Sequence, residues 1–131
     1  MAQADEYQPL VLVETDGLTR EAWLAYRRQG LGGSDAASVL GISPFRTAMD
    51  LYYDKRNLPI EDDEGNWVAM EVGTLLEDLV ARIFAKKTGL NIYRRKCMFQ
   101  HPAYPWMLAD LDFLVEMPDG STAILECKTT N

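Results

Sequence analysis

The sequence contains few residues that bind metals through sulfur or nitrogen: two cysteines and one histidine among 131 residues. An iron–sulfur cluster normally needs four thiolates, so two cysteines cannot supply one. We interpret Cys97 and Cys127 as buried free thiols within strands. His101 is predicted to stabilise a strand connection or to lie in the core rather than to bind a metal.

The sequence also lacks a membrane-spanning run of apolar residues, and its N-terminus has no basic segment before an apolar stretch. We therefore expect a cytoplasmic protein with no membrane partner. The length predicts one domain over residues 1–131, with an N-terminal helical part over 19–60 and a second part over 66–131. The acidic segment 61–65 is expected to be a loop between these parts.

Positive charge is scarce as well, since the formal net charge is −7. Proteins that bind DNA passively are usually basic. Catalytic carboxylates contribute negative charge that a bound divalent cation offsets, and basic residues cluster locally at 27–28 and 94–96. The charge balance argues against a passive nucleic-acid binder without excluding an enzyme that acts on DNA.

Helix signals dominate the first two thirds of the chain. Thr19, Ser34 and Thr47 are predicted to begin helices, and Gly41 ends the second of them. Apolar residues at helical spacing then predict the longest helix, which Gly89 ends and which we expect to be a core element. These apolar residues are Val68, Val72, Leu75, Leu76, Leu79, Val80, Ile83 and Phe84.

Beyond this helix the pattern changes to that of β-strands. Strands are predicted over 91–99, 106–116 and 122–129. Helices followed by a three-stranded, mainly antiparallel meander make an α+β fold.

The loop between the last two strands fixes their pairing. The segment 118–120, Pro-Asp-Gly, suits a three-residue hairpin loop with a left-handed glycine at its end. Met117 then pairs with Ser121, which places Asp112 opposite Glu126. Opposed carboxylates repel each other, and a divalent cation with oxygen ligands would account for the pair. A shift of one residue in the register would remove this inference.

Residues next to Glu126 add to the proposed site. Glu126 and Lys128 share a strand face, whereas Cys127 points to the opposite face. An ammonium beside a cation suits phosphodiester hydrolysis, in which the lysine orients or activates the nucleophile. Glu77, at the edge of the apolar stripe of the long helix, is within reach of the same cation. The alternative is that these residues are solvated surface charges.

Ser34 has two interpretations. The structural one is a helix N-cap. In the functional one, N–H groups that follow the glycines at 30, 32 and 33 bind a phosphate together with Arg27.

Four segments of the chain together resemble the YqaJ-type viral recombinase family, which is related to phage lambda exonuclease among the PD-(D/E)xK nucleases. They are GLGGSDAASVLGISPFRT with the preceding tryptophan and arginine, MEVGTLLEDLVARIF, HPAYPWMLADLDFLV and ILECKTT, and they cover most of residues 23–130 in the family's order. The resemblance implies a restriction-endonuclease-like fold and degradation of double-stranded DNA ends, 5′ to 3′, with Mg²⁺ or Mn²⁺. It also implies a role in phage recombination beside a single-strand annealing protein, and ring-shaped homo-oligomers are known among such relatives.

The resemblance assigns roles to individual residues. Asp112 and Glu126 resemble metal ligands, with the backbone carbonyl of Cys127 as a further ligand. Lys128 resembles the catalytic lysine, and Glu77 matches the family's helix glutamate.

Two more residues match positions of the family, and the chain differs from the family in two ways. Arg27 and Ser34 match positions that help to hold a 5′-phosphate. Asp110 stands where the family often has a small or neutral polar residue, so it would join the metal site or repel a phosphate. The chain ends three residues after Lys128, whereas relatives continue with helices that cover the sheet, so we expect that a C-terminal part is missing.

Two other functions are compatible with the same residues. One is a structure-specific or nicking endonuclease built on the same core. The other is a catalytically silent DNA-binding or assembly module, which a shortened chain would favour.

Overall fold

A computed structural model gives the fold of residues 8–58 and 67–129, so the predicted loop at 61–65 lies outside the described residues. The described residues combine α-helices with antiparallel strands, which confirms the α+β class. The helices are α1 (Arg20–Arg27), α2 (Ala36–Val39), α3 (Ala48–Lys55) and α4 (Trp67–Thr88), with a short 3₁₀ turn at Gly33–Asp35. The strands are β1 (Leu10–Glu14), β2 (Ile92–Tyr93), β3 (Cys97–Gln100), β4 (Leu108–Asp110), β5 (Phe113–Glu116) and β6 (Thr122–Leu125).

The strands form two three-stranded sheets, one in each of two compact units. The first unit contains residues 8–58 and 96–110 with strand order β1-β3-β4, and the second contains 67–95 and 111–129 with order β2-β5-β6. The prediction of a single meander is therefore wrong, and β1 was not predicted. The expected strands over 91–99 and 106–116 each divide into two strands that belong to different sheets.

Two helices of the first unit, α1 and α3, begin at the predicted caps. The Thr19 hydroxyl accepts a 3.2 Å hydrogen bond from the Ala22 N–H at the start of α1. At the start of α3, the Thr47 hydroxyl accepts from the Asp50 N–H at 3.1 Å, and the Asp50 carboxylate accepts from the Thr47 N–H at 3.0 Å. This reciprocal pair is a capping box, which satisfies two N–H groups that the first turn leaves without helical partners.

The segment that follows α1 lies along β4. The Leu31 N–H donates to the Trp106 carbonyl at 2.7 Å, and the Leu108 N–H donates to the Leu31 carbonyl at 2.9 Å. Gly30 approaches the strand so closely that a Cβ there would lie 2.4 Å from the Trp106 carbonyl oxygen and 2.8 Å from Leu108 Cγ. Only glycine fits at this position, and the close contact directs the chain into the turn that carries Ser34.

His101 organises the connection between β3 and β4. Its Nδ1 atom accepts hydrogen bonds from the N–H groups of Ala103 and Tyr104, both at 3.1 Å. The expected role in a strand connection is confirmed.

In the second unit, the hairpin of β5 and β6 has the predicted register. Phe113 pairs with Leu125, and the Met117 N–H donates to the Ser121 carbonyl at 2.9 Å. Gly120 adopts a φ of +83° and donates its N–H to the Met117 carbonyl at 2.9 Å. The left-handed glycine thus closes a three-residue loop and sets every pair along the hairpin.

The core of the second unit is small. Ala81 of α4 packs with Phe113 and Cys127, and all three residues are buried. Val80, Ile92 and Leu125 are partly buried against this cluster. The helix ends as predicted, because Gly89 adopts a φ of +71° and its N–H bonds to the Ala85 carbonyl.

The helix contributes to the core as expected, but with few of its apolar residues. The face that packs on the core does so through the small Ala81, whereas most of the predicted stripe is exposed to solvent. The exposed members are Val68, Val72, Leu75, Leu79 and Ile83. Within the described part of the chain, no helix combines the length and the apolarity that crossing a membrane requires.

Candidate functional site

Asp112 and Cys127 meet at the open end of the β5–β6 hairpin. Asp112 directly precedes β5, and Cys127 follows β6 by two residues. The Cys127 N–H donates a 2.8 Å hydrogen bond to Oδ2 of Asp112. A side chain therefore takes the place of a backbone acceptor here, which explains why β6 ends at Leu125 although we expected a strand up to residue 129.

The residues around Cys127 alternate as a strand pattern predicts. Cys127 is buried in the core of the second unit, whereas Glu126 and Lys128 are exposed. The Lys128 ammonium donates to Oε1 of Glu126 at 2.6 Å, with 76% and 48% of the two side chains exposed. Both Cys97 and Cys127 are buried free thiols, as predicted.

Three carboxylates act together at the end of this hairpin. Burial raises the pKa of the Cys127 thiol, and the negative charges of Asp112, Glu77 and Glu126 raise it further. The hydrogen bond to Glu126 raises the pKa of Lys128, with smaller contributions in the same direction from the charges of the same three carboxylates. The charges of Glu77, Asp112 and Glu126 therefore all act on Cys127 and Lys128.

Arg94 is a residue of this cluster that sequence analysis missed. Its guanidinium donates to Oε2 of Glu77 at 3.1 Å and to Oδ1 of Asp78 at 2.8 Å. It also lies 4.3 Å from the centre of the Phe113 ring, within the range of a cation–π contact. The basic run at 94–96 was noted for its charge alone, and its position after β2 is what brings it to α4.

Each carboxylate of the cluster is bonded to a donor of the chain. Asp112 accepts from the Cys127 N–H, Glu126 from Lys128, and Glu77 from Arg94. Within residues 8–58 and 67–129, no three His, Cys, Asp or Glu side chains are grouped so as to hold a metal ion as they stand. The donor atoms are nevertheless carboxylate oxygens, the ligands that Mg²⁺ and Mn²⁺ prefer. Their chemistry fits such a cation once the Lys128 and Arg94 contacts rearrange.

In the first unit, the structure places Arg27 and Ser34 in contact. The Arg27 guanidinium donates to Oγ of Ser34 at 2.9 Å and lies 4.8 Å from the centre of the Trp23 ring. Ser34 does not cap a helix, because it lies inside the 3₁₀ turn, whose N-cap is Gly32. The N-cap interpretation of Ser34 is therefore wrong, and its hydroxyl is held by the arginine that the sequence grouped with it.

A buried ion pair supports this turn and was also missed. Asp35 is 2% exposed and accepts from the Gly32 N–H at 2.9 Å, while the Lys55 ammonium lies 2.9 Å from the same carboxylate. Lys55 also donates to the Arg27 carbonyl at 3.0 Å. Burial alone would raise the pKa of Asp35, but these hydrogen bonds and the charges of Lys55 and Arg27 outweigh it and lower that pKa. The carboxylate thus stays ionised and ties α3 to the end of α1.

Asp110 belongs to the same cluster of the first unit. Loss of hydration raises the pKa of Asp110, and the charge of Arg27 and a hydrogen bond from Trp23 oppose that rise only in part. Asp110 therefore places a second carboxylate beside Arg27.

Both clusters lie within a stretch of the chain that matches one known family. The YqaJ-like viral recombinase domain matches residues 22–131. The chain belongs to this family. Every candidate residue named above lies within the match.

Two relatives show how much of a longer protein the YqaJ-like domain represents. The chain is 38% identical over 122 residues to the Bacillus subtilis (strain 168) protein named "Uncharacterized protein YqaJ". The matched residues are 92% of this chain and 37% of the relative. It is also 37% identical over 78 residues to "Protein D345L" of African swine fever virus. That match covers 56% of this chain and 22% of the viral protein. The chain thus spans little more than a third of the Bacillus relative's length. No solved structure matches it.

Proposed function

We propose that this YqaJ-like domain is the core of a divalent-metal-dependent deoxyribonuclease that degrades double-stranded DNA from its ends, 5′ to 3′, in phage-type recombination. The observation that supports this most is that Asp112, bonded to the Cys127 N–H, and Glu126, bonded to Lys128, lie at the same end of the β5–β6 hairpin. Like charges are brought together in proteins at a cost, and a bound cation offsets that cost. Membership of a viral recombinase family supports DNA as the substrate.

In this proposal, Asp112 and Glu126 hold Mg²⁺ or Mn²⁺, with Glu77 and the Cys127 carbonyl as further ligands. When bound, the cation would neutralise charge on the scissile phosphate and assist attack by water. Asp112 and Glu126 each use one oxygen in their present hydrogen bonds, Oδ2 and Oε1, so each carboxylate has a second oxygen to offer a ligand.

Lys128 acts through its positive charge. As an ammonium it donates hydrogen bonds, as it does to Glu126. In the reaction it orients the attacking water or stabilises the negative charge that develops on the phosphate oxygens. Its present bond to Glu126 keeps it beside the site.

Arg27 and Ser34 hold the terminal 5′-phosphate. A guanidinium presents several N–H donors in a planar fork that suits phosphate oxygens, and Ser34 supplies a hydroxyl next to it. The contacts with Trp23 and with the turn at Gly33–Asp35 orient the arginine before DNA binds. The partners that we propose are duplex DNA ends, a single-strand annealing protein and further copies of the chain.

One observation favours a second candidate function, a catalytically silent DNA-binding or assembly module. As described, the carboxylates are bonded to donors of the chain rather than arranged around a cation. In such a module, Arg94 and Lys128 would be permanent partners of Glu77 and Glu126.

The test is a nuclease assay with Mg²⁺ on linear duplex carrying 5′-phosphate or 5′-hydroxyl ends and on closed circular plasmid. We expect degradation of linear DNA, faster with 5′-phosphate ends, and intact plasmid. Lys128→Ala should reduce cleavage about 100-fold or more. Lys86→Ala, which removes a charge near the end of α4, should leave it unchanged.

Each alternative gives its own result in this assay. Cleavage of the plasmid would indicate the endonuclease. Binding of DNA without cleavage would indicate the silent module, and degradation that Lys128→Ala does not slow would remove Lys128 from the mechanism.

A further inference from the structure

Arg94 links the candidate metal site to the surface of α4. Its guanidinium reaches two neighbouring carboxylates at once, Glu77 at 3.1 Å and Asp78 at 2.8 Å. The two acceptors differ in exposure: the Glu77 side chain is 26% exposed and the Asp78 side chain 60%. The pKa of Arg94 is raised first by the hydrogen bond to Asp78 and also by that to Glu77, so the guanidinium remains charged.

We propose that Arg94 is the resident counter-ion of Glu77, which it holds in the metal-free protein and releases when a divalent cation binds, while Asp78 keeps the arginine in place. This inference rests on the proposed function, because it assumes that Glu77 is a metal ligand. It assigns Arg94 and Asp78 a positioning role that the family resemblance did not give them.

Arg94 competes with a divalent cation for Glu77. A carboxylate oxygen that accepts from a guanidinium has one lone pair fewer for a cation, and the positive charge of Arg94 also repels a divalent ion. Both effects weaken binding of the cation. In the metal-free protein, however, the guanidinium 3.1 Å from Glu77 neutralises the charge of that carboxylate.

Arg94 can release Glu77 without losing its other contacts. Arg94 does not have to become solvated when it gives up Glu77, because the shorter of its two bonds is to Asp78. Contact with the Phe113 ring at 4.3 Å holds the guanidinium on the surface of the sheet. A guanidinium with two acceptors and a stacking partner can lose one acceptor at small cost, which is what an exchangeable counter-ion requires.

The test is calorimetric titration with Mn²⁺ of the protein and of single variants. Arg94→Gln should bind Mn²⁺ about 10-fold more tightly, since one charge-assisted hydrogen bond no longer competes. Arg82→Gln is the matched control, because Arg82 influences Asp78 through its charge and lies on α4. It removes the same charge and should change the affinity by less than about 2-fold.

Asp78 provides a second measurement. Asp78→Asn should weaken Mn²⁺ binding, because Arg94 then has Glu77 as its remaining carboxylate partner. In the Arg94→Gln background, Asp78→Asn should have little effect, since Asp78 acts through Arg94. If Arg94→Gln does not fold, Arg94→Lys replaces it, and its affinity should lie above that of the wild type, because an ammonium does not bridge both carboxylates as a planar fork does.

The outcomes separate this inference from the proposed function. If the wild type binds no Mn²⁺, the proposed function fails and the inference fails with it. If the wild type binds Mn²⁺ and Arg94→Gln matches Arg82→Gln, or binds more weakly, the metal site stands and the role of Arg94 is overturned.

Discussion

The backbone N–H of Cys127 donates a 2.8 Å hydrogen bond to the carboxylate of Asp112. This bond joins the residue before β5 to the second residue after β6, so one side chain both ends the hairpin and belongs to the carboxylate cluster. Because Cys127 packs in the core with Ala81 and Phe113, the bond also attaches Asp112 to the core of the second unit.

Asp112 should therefore contribute to stability as well as to metal binding. Asp112→Ala leaves the N–H of the buried Cys127 without its acceptor and should lower the free energy of unfolding by about 1–3 kcal/mol. Asp112→Asn keeps an acceptor oxygen and should cost less, although both variants lose the proposed ligand charge. Urea unfolding followed by circular dichroism measures the difference, and equal stability of the two variants would contradict this role of the bond.

The buried pair of Asp35 and Lys55 predicts a pH-dependent stability. Because the folded pKa of Asp35 is lowered, its contribution is present above the unfolded pKa of about 3.9 and is lost as the pH falls through the folded value. Asp35→Asn leaves Lys55 without this partner and should cost about 3 kcal/mol at pH 7. The gap between wild type and variant should narrow as the pH falls below the unfolded pKa of about 3.9.

Asp16→Asn is the control for this experiment. Asp16 pairs with Lys96 at the surface, where 75% and 57% of the two side chains are exposed. Its replacement should change the free energy of unfolding by less than about 1 kcal/mol. A gap between wild type and Asp35→Asn that stays constant from neutral to acid pH would show that the Asp35 charge does not stabilise the fold.

Gly30 should tolerate no side chain. Gly30→Ala would place a Cβ 2.4 Å from the Trp106 carbonyl oxygen, and the backbone would have to move. We expect a loss of about 1–3 kcal/mol or more in the free energy of unfolding. Gly33→Ala is the control, because a Cβ there would meet no atom within 4 Å. Thermal unfolding compares the two, and a Gly30→Ala variant as stable as Gly33→Ala would refute the close approach.

The local features of the fold could be predicted from the sequence. The Pro-Asp-Gly loop at 118–120 sets the β5–β6 register, because a left-handed glycine at the third loop position allows one pairing. The register in turn brings Asp112 to the end of β6. The caps at Thr19 and Thr47 were predictable for a similar reason, since they depend on residues within one turn of the chain.

The division into two sheets could not be predicted in the same way. Residues 91–99 and 106–116 were each predicted as one strand, and the sequence pattern does not reveal that the chain changes sheet within each of them. Arg94 illustrates the consequence, because its contacts with Glu77 and Asp78 depend on where β2 ends rather than on the residues beside it. The exposure of the α4 stripe was missed because periodicity identifies an apolar face but not what covers it.

Calorimetric titration with Mn²⁺ of the wild type and of the variant that combines Asp112→Asn with Glu126→Gln tests the central claim most directly. We predict that the wild type binds Mn²⁺, that the double variant binds about 100-fold more weakly or not at all, and that Lys128→Ala retains binding while it loses cleavage. Wild-type affinity that survives both substitutions, or a wild type that binds no Mn²⁺, would contradict the assignment of Asp112 and Glu126 as the ligands of a nuclease.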